Sequence, residues 1–345
     1  MRKAVIACDS YKGCLPSSEV AEAVAEGIRA VHPECETVSL AVADGGDGTV
    51  DALMTSLGGR FAHAVVSDPL GRPVDAAYGI AGDLAVIESA AACGLTLLRE
   101  EERNPLLTTT RGLGELILAA VDEGCRRFLI GLGGSATNDG GMGMIGTEGF
   151  LKKTKGLEFG VACDVDTPFI GPSGASRVFA PQKGASAADV EILEGRMEEY
   201  AAKILKETGV DVREMPGSGA AGGLGGAFRA YLGAELKRGV DLVLDSVGFD
   251  SAIDGADLVI TGEGCSDFQT LKGKTPSGVL ERASRAGIPV VLLSGAVRDE
   301  QLLRGCGFRT IERATPVGMD LEEAMRPETA RKNIREAIKR ILSDE

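Results

Sequence analysis

At both ends of this sequence an apolar strand runs into a turn rich in glycine and carboxylates, and a helical stretch follows. Near the start, Lys3 to Ala7 is the apolar run and Asp9-Ser10-Tyr11-Lys12-Gly13 is the polar loop. Ser17 can cap the next helix, with Glu19 in its first turn. Val20, Val24, Ile28 and Val31 then recur at helical spacing. Thr37 to Ala43 reads as a second strand, ending in Asp44-Gly45-Gly46-Asp47-Gly48-Thr49. Such a β-α-β opening is the usual start of a parallel sheet. The last third repeats the pattern: Asp257 to Thr261 ends in Gly262-Glu263-Gly264, Ile288 to Ser294 ends in Gly295, and Phe308 to Ala314 is a third run. Ile334, Ile338 and Ile341 give the final helix its apolar face. These segments total about five parallel strands, the count of a flavodoxin-like sheet.

The middle has a different rhythm. Phe61 to Val66 and Val74 to Ile80 flank Ser67-Asp68-Pro69-Leu70-Gly71-Arg72, which predicts a hairpin. Leu84 to Glu88, Phe128 to Gly131 and Gly160 to Ala162 are further short strands. Val190, Leu193, Met197 and Ile204 mark a long helix ending near Gly209, whereas Val240 to Val247 fits helix and strand equally. The expected architecture is α/β: a flavodoxin/Rossmann-like parallel-sheet domain over residues 1–65 and 250–345, interrupted by a second, mixed α+β domain over 66–249.

Composition removes several function classes. With 37 basic against 51 acidic residues the net charge is −14, which disfavours nucleic acid and anionic membrane surfaces as partners. No apolar run approaches the length of a membrane span. The first residues, Met1-Arg2-Lys3-Ala4-Val5-Ile6-Ala7-Cys8-Asp9, break their apolar run too early for a signal peptide. The eight cysteines form no C-x-x-C pair, and scattered reduced thiols fit a cytoplasmic protein. His32 and His63 are the only histidines, and both read as bystanders. The chemistry must therefore use carboxylates, Lys, Ser/Thr hydroxyls and backbone amides, with or without a hard metal.

Three segments combine glycine, small polar residues and carboxylates. In Asp44-Gly45-Gly46-Asp47-Gly48-Thr49, two carboxylates at the carboxyl end of a strand suit a magnesium site or a contact to a substrate hydroxyl. A capped strand-to-helix turn is the structural alternative. The second segment runs from Gly131 to Gly143 after an apolar strand and includes Gly133, Gly134, Ser135, Thr137, Asn138 and Asp139. Its glycines can turn amides toward an anion, and its hydroxyls add donors. It lacks the Gly-Lys-Ser/Thr ending of a Walker A loop and matches a dinucleotide fingerprint only loosely. The third is Gly262-Glu263-Gly264-Cys265-Ser266-Asp267, followed by Lys272 and Lys274. An acidic residue at the end of a buried strand resembles a magnesium-holding carboxylate, and the lysines can neutralise phosphate. A fourth stretch, Pro216 to Gly226, holds small residues without carboxylates; phosphate binding and close helix packing explain it equally.

The ordered series Asp9-Ser10-Tyr11-Lys12, Val42 to Thr49, Gly133 to Gly141, Ala162-Cys163-Asp164-Val165, Pro181-Gln182-Lys183-Gly184-Ala185, Gly219 to Gly223 and Thr261-Gly262-Glu263-Gly264 resembles the bacterial glycerate kinases of type I. The resemblance covers nearly the whole chain. It departs at Cys8, where the family commonly has Pro, at Cys265, where it usually has Arg, and in a shorter stretch between Gly143 and Ala162.

The resemblance implies ATP-dependent phosphorylation of D-glycerate, with 2-phosphoglycerate favoured over 3-phosphoglycerate, and Mg2+ as cofactor. Phosphoryl transfer relies on positioning and charge neutralisation. In that light the catalytic candidates are Asp44, Asp164 and Lys12, with either Asp44 or Asp164 facing the accepting hydroxyl. Asp9, Ser10, Gln182 and Lys183 are expected to bind substrate. Gly133, Gly134, Ser135, Thr137, Asn138 and Lys274 are expected to bind phosphate, and Glu263, Asp267 and Asp47 to hold the metal. D-glycerate and ATP are the expected partners, and a homo-oligomer is allowed. A nucleotide-dependent oxidoreductase and a non-catalytic metabolite-binding regulator are the alternatives.

Overall fold

The computed structural model describes residues 1–46 and 48–343. Asp47, one of the expected metal ligands, lies outside the described residues. In chain order the strands are β1 (Lys3–Cys8), β2 (Glu36–Ser39), β3 (Arg60–Ser67), β4 (Pro73–Ala81), β5 (Leu84–Glu88), β6 (Arg127–Gly131), β7 (Glu158–Ala162), β8 (Glu235–Lys237), β9 (Leu258–Gly262), β10 (Cys265–Ser266), β11 (Val290–Ser294), β12 (Ala296–Val297) and β13 (Thr310–Arg313). The chain separates into two compact units: Met1–Asp44, Asp51–Leu57 and Val243–Glu345 form the first, and Gly45–Val50 with Gly58–Leu242 form the second.

In the first unit, parallel strands lie in the order β2-β1-β9-β11-β13. Numbered within this unit, that is the 2-1-3-4-5 order of a flavodoxin-like sheet. Its central strands are buried on both faces, which explains their near-continuous apolar runs: every residue of β9 and of β11 is buried. The helices Ser17–Val31 and Pro327–Ser343 pack together through Val20, Val24 and Ile28 on one and Ile334 and Ile338 on the other. They approach so closely that a Cβ on Gly27 would stand 2.9 Å from Cβ of Ile338.

The strand expected over Thr37 to Ala43 stops at Ser39. Beyond it, the amides of Ala41 and Val42 donate to the hydroxyls of Ser56 and Ser17, at 2.7 and 3.1 Å. Side-chain acceptors thus replace the ladder and release the chain toward Asp44.

The second unit holds a sheet of order β3-β4-β5-β6-β7-β8, with antiparallel pairs as far as β5 and parallel pairs beyond. Asp68 closes the expected hairpin, its Oδ1 accepting from the amides of Leu70 and Arg72 at 2.8 and 2.9 Å. A domain boundary at 65/66 would cut β3, which pairs with β4 along its whole length from Arg60 to Ser67. The second unit therefore gains all of β3, and the first resumes at Val243 rather than 250. The ambiguous stretch after Val240 is helical, spanning Gly239–Ser246. The long helix is Ala187–Thr208, and Gly209 ends it in the left-handed region at φ 76°.

The glycine-rich stretch after Pro216 is settled by packing. Gly222 and Gly223 lie at φ 70° and 98° inside the helix Ala220–Leu232. A Cβ on Gly222 would fall 2.1 Å from the Thr137 carbonyl oxygen, and one on Gly223 would fall 2.7 Å from Cα of Gly140. These glycines let a helix start lie directly against the Gly133–Gly141 loop.

Candidate functional site

The carboxyl ends of the first unit's strands carry its polar side chains. Asp9 follows β1 and Glu263 follows β9, and these strands pair in parallel with Cys8 opposite Gly262. In this strand order β1 and β9 flank the point where the winding reverses, the position at which open α/β sheets bind ligands. The glycine before Glu263 has a structural cause, because a Cβ on Gly262 would fall 1.6 Å from the Leu293 carbonyl oxygen of neighbouring β11.

A cavity of about 500 Å3 opens at this edge. Six expected site residues line it: Asp9, Ser10, Lys12, Asp44, Glu263 and Lys274. Arg298 and Arg313 line it too and were not singled out in the sequence. Arg313 is the last residue of β13. Arg298 arrives because β12 pairs in parallel with β10, and the amide of Arg298 donates to the Ser266 carbonyl at 2.8 Å. The signal available for both was an Arg at or just beyond the end of a strand. Cys265 also lines the cavity, opposite Ala296 in that pairing.

Hydrogen bonds hold the carboxylates in place. Glu263 Oε1 accepts from the hydroxyls of Thr270 and Ser266 at 2.6 and 3.1 Å. Ser266 Oγ in turn lies 2.7 Å from Ser294 Oγ. Glu263 Oε2 faces Lys274 Nζ at 3.5 Å. Asp9 Oδ2 accepts from Thr275 Oγ1 at 2.6 Å, and its Oδ1 from the Ser10 amide at 2.7 Å. Burial pushes the Asp9 carboxyl up to about 6, with repulsion from Asp44 and Glu263 acting in the same direction against those two hydrogen bonds. A cation entering the cavity would relieve that repulsion.

Asp267 is placed differently from its expected role as a metal ligand. It caps the turn Phe268–Leu271, its Oδ1 accepting from the Gln269 amide at 2.8 Å, and it is not among the cavity-lining residues. The cap follows from sequence spacing, since an Asp three residues before Thr270 can exchange bonds with it.

The remaining candidates belong to the second unit. Asp139 organises the glycine loop from within, its carboxylate accepting from the amides of Thr110, Gly141 and Gly143 at 2.9, 3.0 and 3.1 Å. Two amides expected to cradle an anion are therefore engaged by the loop's own carboxylate, and a third, Gly140, donates to Gly222. Lys183 was expected on substrate. Its side chain is buried, and Nζ donates to Ser135 Oγ and the Thr137 carbonyl at 2.9 and 2.7 Å. Burial pushes its ammonium down to about 7, partly offset by Asp139. Thr137 and Asn138 are buried, and Asn138 Nδ2 donates to Ser176 Oγ at 3.1 Å. Gly133, Gly134 and Gln182 are exposed. Asp164 is exposed as well, and its Oδ1 accepts from the Gly239 amide at 3.0 Å, at the start of a helix.

The family model described as the Glycerate kinase family matches residues 4–151 and 145–344. The chain belongs to the glycerate kinase family. A protein of Bacillus subtilis (strain 168) named Glycerate kinase is 44% identical, over 93% of this chain and 92% of its own length. One of Escherichia coli (strain K12) named Glycerate 2-kinase is 45% identical, over 86% of each. A crystal structure from Salmonella typhimurium LT2 that carries the name glycerate kinase 2 superposes with a TM-score of 0.87 at 39% identity. It covers 99% of this chain and 98% of that one. As a member of this family of kinases, the chain presents its carboxylates and cations at the sheet edge where a flavodoxin-like fold receives ligands. Among the described residues, no helix is long and apolar enough to cross a membrane.

Proposed function

We propose that this protein transfers the terminal phosphoryl group of ATP to the 2-hydroxyl of D-glycerate. The observation that carries this reading is one cavity lined by three carboxylates, Asp9, Asp44 and Glu263, and four cations, Lys12, Lys274, Arg298 and Arg313. Phosphoryl transfer needs that pairing: cations to hold phosphate and carboxylate groups, and an oriented carboxylate to face the accepting hydroxyl. Asp44 is the proposed acceptor of the hydroxyl proton, because it lines the cavity with the others whereas Asp164 is exposed at a helix start. Lys12 is the proposed partner of the glycerate carboxylate, with Ser10 beside it.

Magnesium fits the donor set. Asp44 and Glu263 offer hard oxygens, and magnesium typically takes one or two protein carboxylates with phosphate oxygens and water completing its shell. No group of three or more His, Cys, Asp or Glu able to hold a metal ion forms among the described residues, so a site shared with phosphate suits this chain better than a closed protein cage. When bound, magnesium supplies charge neutralisation on the transferring phosphate. The oxidoreductase alternative is disfavoured by the first turn, where a buried Asp9 stands in place of the glycines that admit a dinucleotide pyrophosphate.

The test is a coupled assay with ATP, magnesium and D-glycerate, and the expected result is magnesium-dependent ADP release. Coupling through enolase alone, without a mutase, should consume the product directly, because enolase takes the 2-phosphate ester. Folded protein that forms no ADP would overturn the kinase reading. ADP formation with an enolase-inert product would move the transfer to the 3-hydroxyl.

A further inference from the structure

We propose that the part of the first unit's cavity walled by residues 314–333 is the seat of a purine base, read by the carboxamide of Asn333. The proposal rests on the kinase reading above and names where that reaction's nucleotide is recognised.

Three observations carry it. The cavity is chemically divided. Its charged side chains stand at the end of β13, in the loops that follow the strands and at the start of the helix Thr275–Arg285, whereas the segment after β13 contributes mainly apolar residues, Ala314, Pro316, Met319, Leu321, Met325 and Ala330, with Thr315 and Asn333 as its polar ones. Such a wall has no use for a three-carbon hydroxy acid, whose every heavy atom is polar or bonded to a polar one.

The second observation is Asn333. It sits on the buried face of the helix Pro327–Ser343, beside Ala330 and Ile334, with 8% of its surface exposed, and it lines the cavity. Its one hydrogen bond among the described residues runs from Nδ2 to the Met319 thioether sulfur at 3.4 Å, a weak acceptor. Oδ1 has no protein donor among the described residues. A carboxamide so buried costs stability unless something satisfies it, and an apolar residue there would continue the helix's core stripe. The position therefore calls for a ligand that offers a donor and an acceptor side by side.

The third observation is size. About 500 Å3 lies within the range of pockets that enclose a whole nucleotide-sized ligand.

A purine meets all three requirements. Its two faces are flat and apolar, and thioethers such as those of Met319 and Met325 pack well on aromatic rings. The 6-amino group of adenine lies next to a ring nitrogen, so Asn Oδ1 can accept from the amino group while Nδ2 donates to the ring, a pairing with matched geometry. With the base held there, the phosphates can extend toward the cations at the strand ends. The ligand class is thus a 6-aminopurine nucleoside triphosphate.

The test compares wild type with Asn333→Leu, which keeps the branching and number of heavy atoms while removing both polar atoms. Two measurements are made: ADP affinity by calorimetry, and kinetics with ATP and with purine riboside triphosphate, which lacks the 6-amino group. In wild type, ATP should be preferred at least tenfold in kcat/KM. In Asn333→Leu, ADP affinity should fall and KM for ATP should rise, each at least tenfold. KM for D-glycerate should stay within twofold, and the preference for ATP should fall below twofold. Unchanged ADP affinity and KM in a folded variant would overturn the proposal. So would a wild type that does not distinguish the two triphosphates, a comparison that needs no variant. Failure of the kinase reading looks different: wild type would release no ADP with glycerate, and ADP calorimetry on both proteins would still decide whether Asn333 reads a base.

Discussion

Asp44→Asn, Lys12→Met and Glu263→Gln are each expected to lower turnover at least tenfold while leaving the melting temperature near or above that of the wild type. Each variant is close to its parent in size and removes one charge from the cavity that Asp44, Lys12 and Glu263 line together. Groups that act on a transferring phosphoryl group typically contribute one to several kcal/mol to the transition state, and about 1.4 kcal/mol is tenfold in rate. The stability side follows from the electrostatics. Asp44 and Glu263 both raise the Asp9 carboxyl by repulsion, so neutralising either removes an unfavourable interaction from the unliganded protein. Lys12 is exposed, and its replacement should scarcely change folding. If Asp44 served only as a turn cap, its variant would instead lose about 1 kcal/mol of stability and keep its turnover. Kinetics and thermal melts on the same three proteins decide the matter. Normal turnover with lowered stability in all three would remove them from the site.

Lys183 should contribute stability that grows with pH between about 7 and 10, and Lys183→Met should lack that component. The Lys183 ammonium is fully buried, and burial lowers it from an ordinary 10.5 to about 7. In this window the unfolded chain carries a proton on Lys183 that the folded chain has released, so raising the pH favours the folded state. Below pH 7 both states are charged and the cost of burying the cation is constant. The slope approaches about 1.4 kcal/mol per pH unit, which amounts to roughly 2 kcal/mol between pH 7 and 9. Denaturant unfolding of both proteins at several pH values isolates the effect, because the other titrating groups are common to the pair. Parallel stability curves would show that the buried amine keeps its proton when folded. Lys183→Met also removes the two bonds that brace the loop at Ser135 and Thr137, so its stability at neutral pH combines relief and loss.

Local signals carried most of the architecture. Apolar runs ending in glycine and a carboxylate announced parallel strands, because strands buried on both faces need apolar side chains throughout and a tight exit at the carboxyl end. Helical spacing of Val20, Val24 and Ile28 marked the face that meets the last helix. The same logic put Asp9, Ser10, Lys12, Asp44, Glu263 and Lys274 among the candidates, and all six line one cavity. Those features depend on neighbours in sequence, where turn chemistry and side-chain periodicity act.

The rest depends on which strand lies beside which, and no local pattern encodes that. The glycines of the loop after β6 suggested amides turned toward an anion, yet those of Gly141 and Gly143 meet Asp139, and Lys183, 48 and 46 residues along the chain from Ser135 and Thr137, is enclosed against them. Asp267 and Glu263 are four positions apart with similar chemistry; one caps a short turn and the other faces the cavity, because only Glu263 directly follows the buried strand β9. Arg298, Arg313 and Asn333 were not singled out, since each reaches the cavity through strand pairing or helix packing far along the chain, and a strand-end Arg is too weak a local signal to mark a site. A parallel α/β sheet with reactive groups at its carboxyl edge could be read along the chain, because burial and turn geometry are written locally. Which of those groups share a cavity was decided only by tertiary structure, because a side chain's partners are set by long-range order among strands and helices.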